Sequence, residues 1–163
     1  MLDDALSARK LADVEHRTEL AAARDLEVAR NAELHAAIRD FLERMLRAGN
    51  PGCEPLVETI TEHKNVGLIF ANYQEVSHDR VAGHGWVSYW GFRETPQPSR
   101  GRGSNYVAIG TDGRIYRGGD DSSERSSARN FHWTASPSAV IHGESHEAWL
   151  DLMARWLIAA GAD

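Results

Sequence analysis

The chain has 163 residues, of which 42% are hydrophobic and 26% charged. That composition excludes a disordered chain and suits one folded domain with an appendage. A formal net charge of −6 excludes a polycation, and the single cysteine, Cys53, excludes an intrachain disulfide. No stretch approaches the ~20 apolar residues that span a bilayer.

Arg outnumbers Lys 16 to 2 all along the chain, the bias expected of GC-rich coding in a bacterium or its phage. The start, "MLDDALSARKLADVEHR", is charged throughout, so no signal peptide is expected, and the single cysteine fits the expected cytoplasmic location. Charge is unevenly spread. Residues 1–83 are net −5, residues 84–140 net +2 and residues 141–163 net −3.

Residues 3–47 contain neither Gly nor Pro and are rich in Ala, Leu, Arg and Glu, which predicts one long helix. Opposite charges recur at four-residue spacing, as in Arg9/Asp13/Arg17 and Arg39/Glu43/Arg47. Leu34, Ile38, Phe41 and Met45 form an apolar stripe. Carried backward, the same heptad positions fall on Glu27, Leu20, Asp13 and Leu6 and on Asn31, Arg24 and Arg17, a mixture that a strict coiled coil would not tolerate. Residues 34–46 are therefore expected to dock and residues 1–33 to project as an arm for self-association or partner binding. "AGNPGCEP" (48–55) ends the helix.

A compact α+β domain is expected over 53–163, following the helical segment 1–48. Pro55 with Leu56 and Ile60 predicts a short helix over 53–64, residues 65–73 a strand, and residues 74–83 a connection. "HGWVSYWGF" (84–92) reads as a core strand, with Trp86, Ser88, Trp90 and Phe92 inward and Tyr89 outward. Residues 95–104 read as a loop. In "NYVAIGTDGRIYRGG" (105–119), Asp112-Gly113 predicts a type I′ hairpin with Ile109 opposite Tyr116 and Gly110 opposite Ile115. Residues 120–130 read as a polar loop, and 131–134 and 138–142 as short strands. Ser145 is expected to cap a helix over 146–161 with Trp149, Leu152, Met153, Trp156, Leu157 and Ala160 on its apolar face. The fold class is thus α+β: a long N-terminal helix, then a small antiparallel sheet closed by a C-terminal helix.

Candidate chemistry is sparse. His78, His84, His132, His142 and His146 lie in the second half, but the His142/His146 pair is interrupted by Gly143 and has no Cys pair to complete a zinc site. No metal or cofactor is expected. Motifs for serine hydrolysis, zinc proteolysis or phosphate cradling are missing, so catalysis is not the leading reading. Seven arginines interleave with aromatic residues between 84 and 140, a pattern compatible with single-stranded nucleic acid. The small local charge excess and acidic flanks argue against it.

The leading expectation is a non-catalytic protein-interaction module or regulator that can self-associate through its helix. Nucleic-acid binding ranks second, and a small hydrolase or metal-dependent enzyme using the histidines third. The expected binding residues are Arg100, Arg102, Arg114, Arg117, Tyr89 and Tyr116. Arg supplies directed hydrogen bonds and Tyr a rigid contact surface. A protein partner is expected, and no membrane.

Overall fold

The computed structural model of the chain describes residues 2–67, 73–93, 106–121, 130–136 and 146–162. Helix α1 runs Leu2–Arg47, followed by strands β1 (Glu54–Asn65), β2 (Tyr73–Ser88), β3 (Tyr106–Gly110), β4 (Ile115–Asp121) and β5 (Asn130–Ala135), and by helix α2 (His146–Ala160). The α+β class expected from the pattern is the one observed. No helix among the described residues is long and apolar enough to cross a membrane.

The helix divides as its stripe predicts. Ala5 to Arg30 are all exposed, whereas Leu34, Ile38, Phe41 and Met45 are buried. Its end is closed by Gly49 in the left-handed region (φ 84°), with Asn50 N–H donating to Met45 C=O at 2.8 Å. Helix α2 ends the same way, with Gly161 at φ 62° and Ala162 N–H donating to Leu157 C=O at 3.0 Å. Both are glycine C-caps that satisfy the last helical carbonyls. The segment 138–142 and the Ser145 cap lie outside the described residues.

Two expectations are corrected in the first hairpin. Residues 53–64 are strand rather than helix, and residues 74–83 are strand rather than a connection. The β-branched run Val57, Thr59, Ile60, Thr61 explains the first, because such side chains prefer the pleated surface. Pro55 sits at the start of a strand, where a proline is as acceptable as at the start of a helix. Of the strand expected at 65–73, Asn65 ends β1, Val66 and Gly67 are outside any strand, and Tyr73 begins β2. Residues 68–72 lie outside the described part.

The five strands close into a barrel in chain order, with every neighbouring pair antiparallel, including β1 with β5. A ring of five straight strands cannot alternate direction at every junction, because five is odd. At least one strand must therefore turn between its two neighbours. The register shift opposite Leu56 and Val57, which pair with Gly83 and Val81 and leave Ala82 as the extra residue of β2, is such a point, since a bulge bends its strand and increases local twist.

The β1–β5 seam has one ladder pair, Thr59 with Phe131. Side chains complete it. Asn130 Oδ1 accepts from Thr61 N–H at 2.7 Å, Glu58 Oε1 accepts from Trp133 N–H at 3.1 Å, and the Trp133 indole N–H donates to Val57 C=O at 3.2 Å. Glu58 is buried, and its other oxygen takes Arg80 Nη2 at 2.6 Å. Burial pushes the Glu58 carboxyl up. The hydrogen bonds from Arg80 and from Trp133 N–H, with the charges of Arg80 and His132, outweigh it and hold the group below its usual range.

The β3–β4 turn is also corrected. Ile109 pairs with Ile115, and Ala108 with Tyr116. Gly110 N–H donates to Arg114 C=O at 2.8 Å, closing a three-residue loop, and Gly113 alone has positive φ (78°). A type I′ turn would need Asp112 at positive φ as well. Asp112 instead stays in the ordinary region and uses its carboxylate, which accepts from Arg114 N–H at 3.0 Å and Tyr116 O–H at 2.8 Å.

The strands bury both faces. Outside the barrel, Trp86, Val107, Ile109 and Ile115 pack under Leu34, Ile38, Phe41 and Met45 of α1 and Trp149, Leu152 and Met153 of α2. Inside it, Leu56, Ala108 and Tyr116 form a second core with Val87, Trp133 and Ala135 against them. Trp90 departs from the expected alternation. Strand β2 stops at Ser88, the chain turns through Gly91 (φ 61°), and Trp90 is 44% exposed. Phe92 does reach the core, edge-on to Trp149 at 4.9 Å.

Candidate binding site

Cross-strand register builds the site. Tyr106, Gly118 and Trp133 stand in one row across β3, β4 and β5, and Asp120 faces Phe131 in the next. Side chains alternate along a strand, so these residues share the face that carries Ala108, Tyr116 and Ala135 into the barrel. They are the continuation of the inner core toward one mouth. Tyr89, just past β2, and Glu54, Pro55 and Val57 of β1 complete a groove of about 410 Å³.

Glycine makes the space. A Cβ at Gly118 would lie 2.5 Å from the Phe131 ring, 3.0 Å from Tyr106 Cβ and 3.1 Å from the Trp133 ring. The rings meet edge to face. Tyr106 and Phe131 are 5.3 Å apart at 87°, Phe131 and Trp133 5.5 Å at 85°, and Tyr89 and Tyr106 5.6 Å at 88°. Near-perpendicular rings wall a space on several sides. A flat platform for successive bases would need rings presented side by side.

The polar rim is acidic. Two carboxylates, Glu54 and Asp120, line the groove, and no Lys or Arg is among the described residues that do so. The Tyr89 hydroxyl donates to Glu54, lying 2.8 and 2.9 Å from its two oxygens. That hydrogen bond, with burial and the Glu54 charge, raises the Tyr89 phenol above its usual value. The Trp133 ring is oriented by its indole bond to Val57 C=O.

The expected binding residues are dispersed by the fold. Tyr89 lines the groove. Tyr116 lies in the inner core with its hydroxyl on Asp112. Arg114 is exposed in the β3–β4 turn, its Nε 3.8 Å from Asp112 Oδ2, and Arg117 is exposed on the face of β4 opposite to Gly118. Arg100 and Arg102 lie outside the described residues. Glu54, Tyr106, Asp120, Phe131 and Trp133 were not expected as site residues. A glycine inside a strand marks a close approach, and Gly118 was the available signal.

The described histidines do not converge. His78 and His84 are exposed on β2, His132 Nδ1 is 3.9 Å from Glu58 Oε1, and His146 Nε2 is 3.3 Å from Asn31 Oδ1. His142 lies outside the described part. Among the described residues no group of three or more His, Cys, Asp or Glu could hold a metal ion. Burial, then the Glu54 charge, pushes the Cys53 thiol up, away from the thiolate a nucleophile needs.

No family model matches the chain, and the comparisons with curated proteins and with solved structures give no match either.

Proposed function

We propose that this protein is a non-catalytic interaction module whose barrel mouth receives a positively charged side chain of a partner protein. The observation that carries this reading is the pairing of four aromatic residues, Tyr89, Tyr106, Phe131 and Trp133, with Glu54 and Asp120 around one groove. Aromatic faces attract cations through their quadrupole, and carboxylates add charge of the same sign. The same rim repels phosphate, which disfavours nucleic acid at this groove. Helix α1 serves as the arm: its exposed residues 5–30 extend the reach of the module away from the barrel.

Calorimetric titration with a Lys/Arg-rich peptide and with an acidic peptide of the same length tests the reading. The basic peptide binds, the acidic one does not, and Trp133→Ala abolishes the binding. Equal affinity for both peptides, or a basic-peptide affinity untouched by Trp133→Ala, contradicts it.

A further inference from the structure

We infer that the mouth selects a trimethylated lysine side chain over an unmodified one. This rests on the cation-binding reading above and names its ligand. A primary ammonium is compact, strongly hydrated and carries three N–H donors that need acceptors once water is stripped away. Among the described residues lining the mouth, charged acceptors are confined to the Glu54 and Asp120 carboxylates at the rim. The one Tyr89 hydroxyl proton orients Glu54 and takes one of its lone pairs. The Trp133 indole N–H is a donor already bonded to Val57 C=O. Most of the remaining wall is ring carbon from Tyr106, Phe131 and Trp133, with Pro55 and Val57 beside it.

A trimethylammonium group suits this wall. It keeps the positive charge, has no N–H donor, and presents methyl surface that packs against ring faces. Glu54, held in place by Tyr89, and Asp120 supply attraction without needing a direct hydrogen bond. The ligand is carried on a protein chain and is not free choline. Pro55 and Val57 are exposed along one side of the groove, leaving room for the lysine stem and its backbone to cross the barrel surface.

The test uses the full chain, ¹⁵N-labelled, titrated with one short Gly/Ser peptide whose central residue is varied. The variants are lysine, trimethyllysine, and the neutral isostere in which carbon replaces the nitrogen. Free choline is the fourth probe. The readouts are affinity and the Trp133 indole resonance. The trimethyllysine peptide is expected to bind about tenfold tighter than either the lysine peptide or the neutral isostere, within the range a desolvated cation–π contact supplies. Glu54→Gln lowers that affinity.

Lysine binding as tightly as trimethyllysine overturns the methyl selectivity and leaves the cation-binding reading standing. The neutral isostere matching trimethyllysine overturns the role of charge. Choline matching the peptide overturns the protein-borne source. Failure of every cation to shift Trp133 overturns both this inference and the reading beneath it.

Discussion

The protein holds two aromatic clusters in opposite surroundings. In one, Phe41 lies 5.0 Å from Trp86 and 5.9 Å from Trp156, and Phe92 meets Trp149, all beneath the two helices. In the other, Tyr89, Tyr106, Phe131 and Trp133 line an open groove with two carboxylates at its rim. The difference comes from cover. Helices α1 and α2 close the outer face of the barrel, and no described element closes the mouth. Aromatic rings in contact with a covering helix stabilise the fold. The rings beside the carboxylates have no covering helix among the described residues, which is the basis of the proposed binding site.

The contrast breaks first on stability. Phe41 is 1% exposed and joins both helices to the barrel. Phe41→Ala should cost about 3–5 kcal/mol by urea denaturation, as expected for removing a large core ring. A loss below about 1 kcal/mol would mean that the helices do not hold this face.

A smaller change is expected at the mouth. Gly118→Ala forces Phe131, Tyr106 and Trp133 apart and should cost about 1–3 kcal/mol. Its sharper signature is the loss of cation binding, with the Trp86 and Trp149 indole resonances unmoved. Retained binding in a folded Gly118→Ala protein would show that the ring geometry at this row is dispensable.

The seam comes next. Glu58→Gln should cost about 1–2 kcal/mol at neutral pH, because Arg80 is largely exposed and solvent screens the pair. The folded carboxyl is held below its unfolded value, so its stabilisation is complete above about pH 4.3 and fades as pH falls through the lower folded value. Thermal melts should therefore show the native protein and Glu58→Gln converging as pH falls below the ordinary glutamate value of about 4.3. Parallel pH profiles would remove Glu58 from the account of the seam.

The smallest effect belongs to the arm. Removing residues 1–30 takes away a helical segment whose residues 5–30 are exposed and should change the stability of the remainder by less than about 0.5 kcal/mol. A larger loss would show that the arm packs on another chain, and light scattering of both lengths would reveal the assembly.

Periodicity made part of this legible. The stripe at Leu34, Ile38, Phe41 and Met45 marked where α1 docks, and Trp149, Leu152 and Met153 marked the buried face of α2. Both signals repeat over several turns of helix. Strand signals failed where they were shorter or competed with other patterns. Pro55 resembled a helix start, although Val57, Thr59, Ile60 and Thr61 favoured a strand. The Asp112 carboxylate claimed Arg114 N–H and Tyr116 O–H, which moved the turn by one residue and paired Tyr116 with Ala108.

The site was less legible still. Its residues come from β1, β3, β4, β5 and the turn after β2, and only closure of the barrel assembles them. Nothing local distinguishes Trp133 at the mouth from Trp86 in the core. Their separation depends on which face a helix covers, and that is a property of the tertiary structure.

The most direct measurement is a two-dimensional NMR titration of the indole N–H resonances with tetramethylammonium chloride. Trp133, whose indole bonds to Val57 C=O, lies at the mouth, whereas Trp86, bonded to Pro51 C=O, and Trp149 lie in the core between the helices and the barrel. The account predicts a saturable shift of Trp133, absent with sodium chloride at equal ionic strength, while Trp86 and Trp149 stay fixed. An unmoved Trp133, or a uniform drift of all three with both salts, would contradict the claim that the barrel mouth is a cation-binding site.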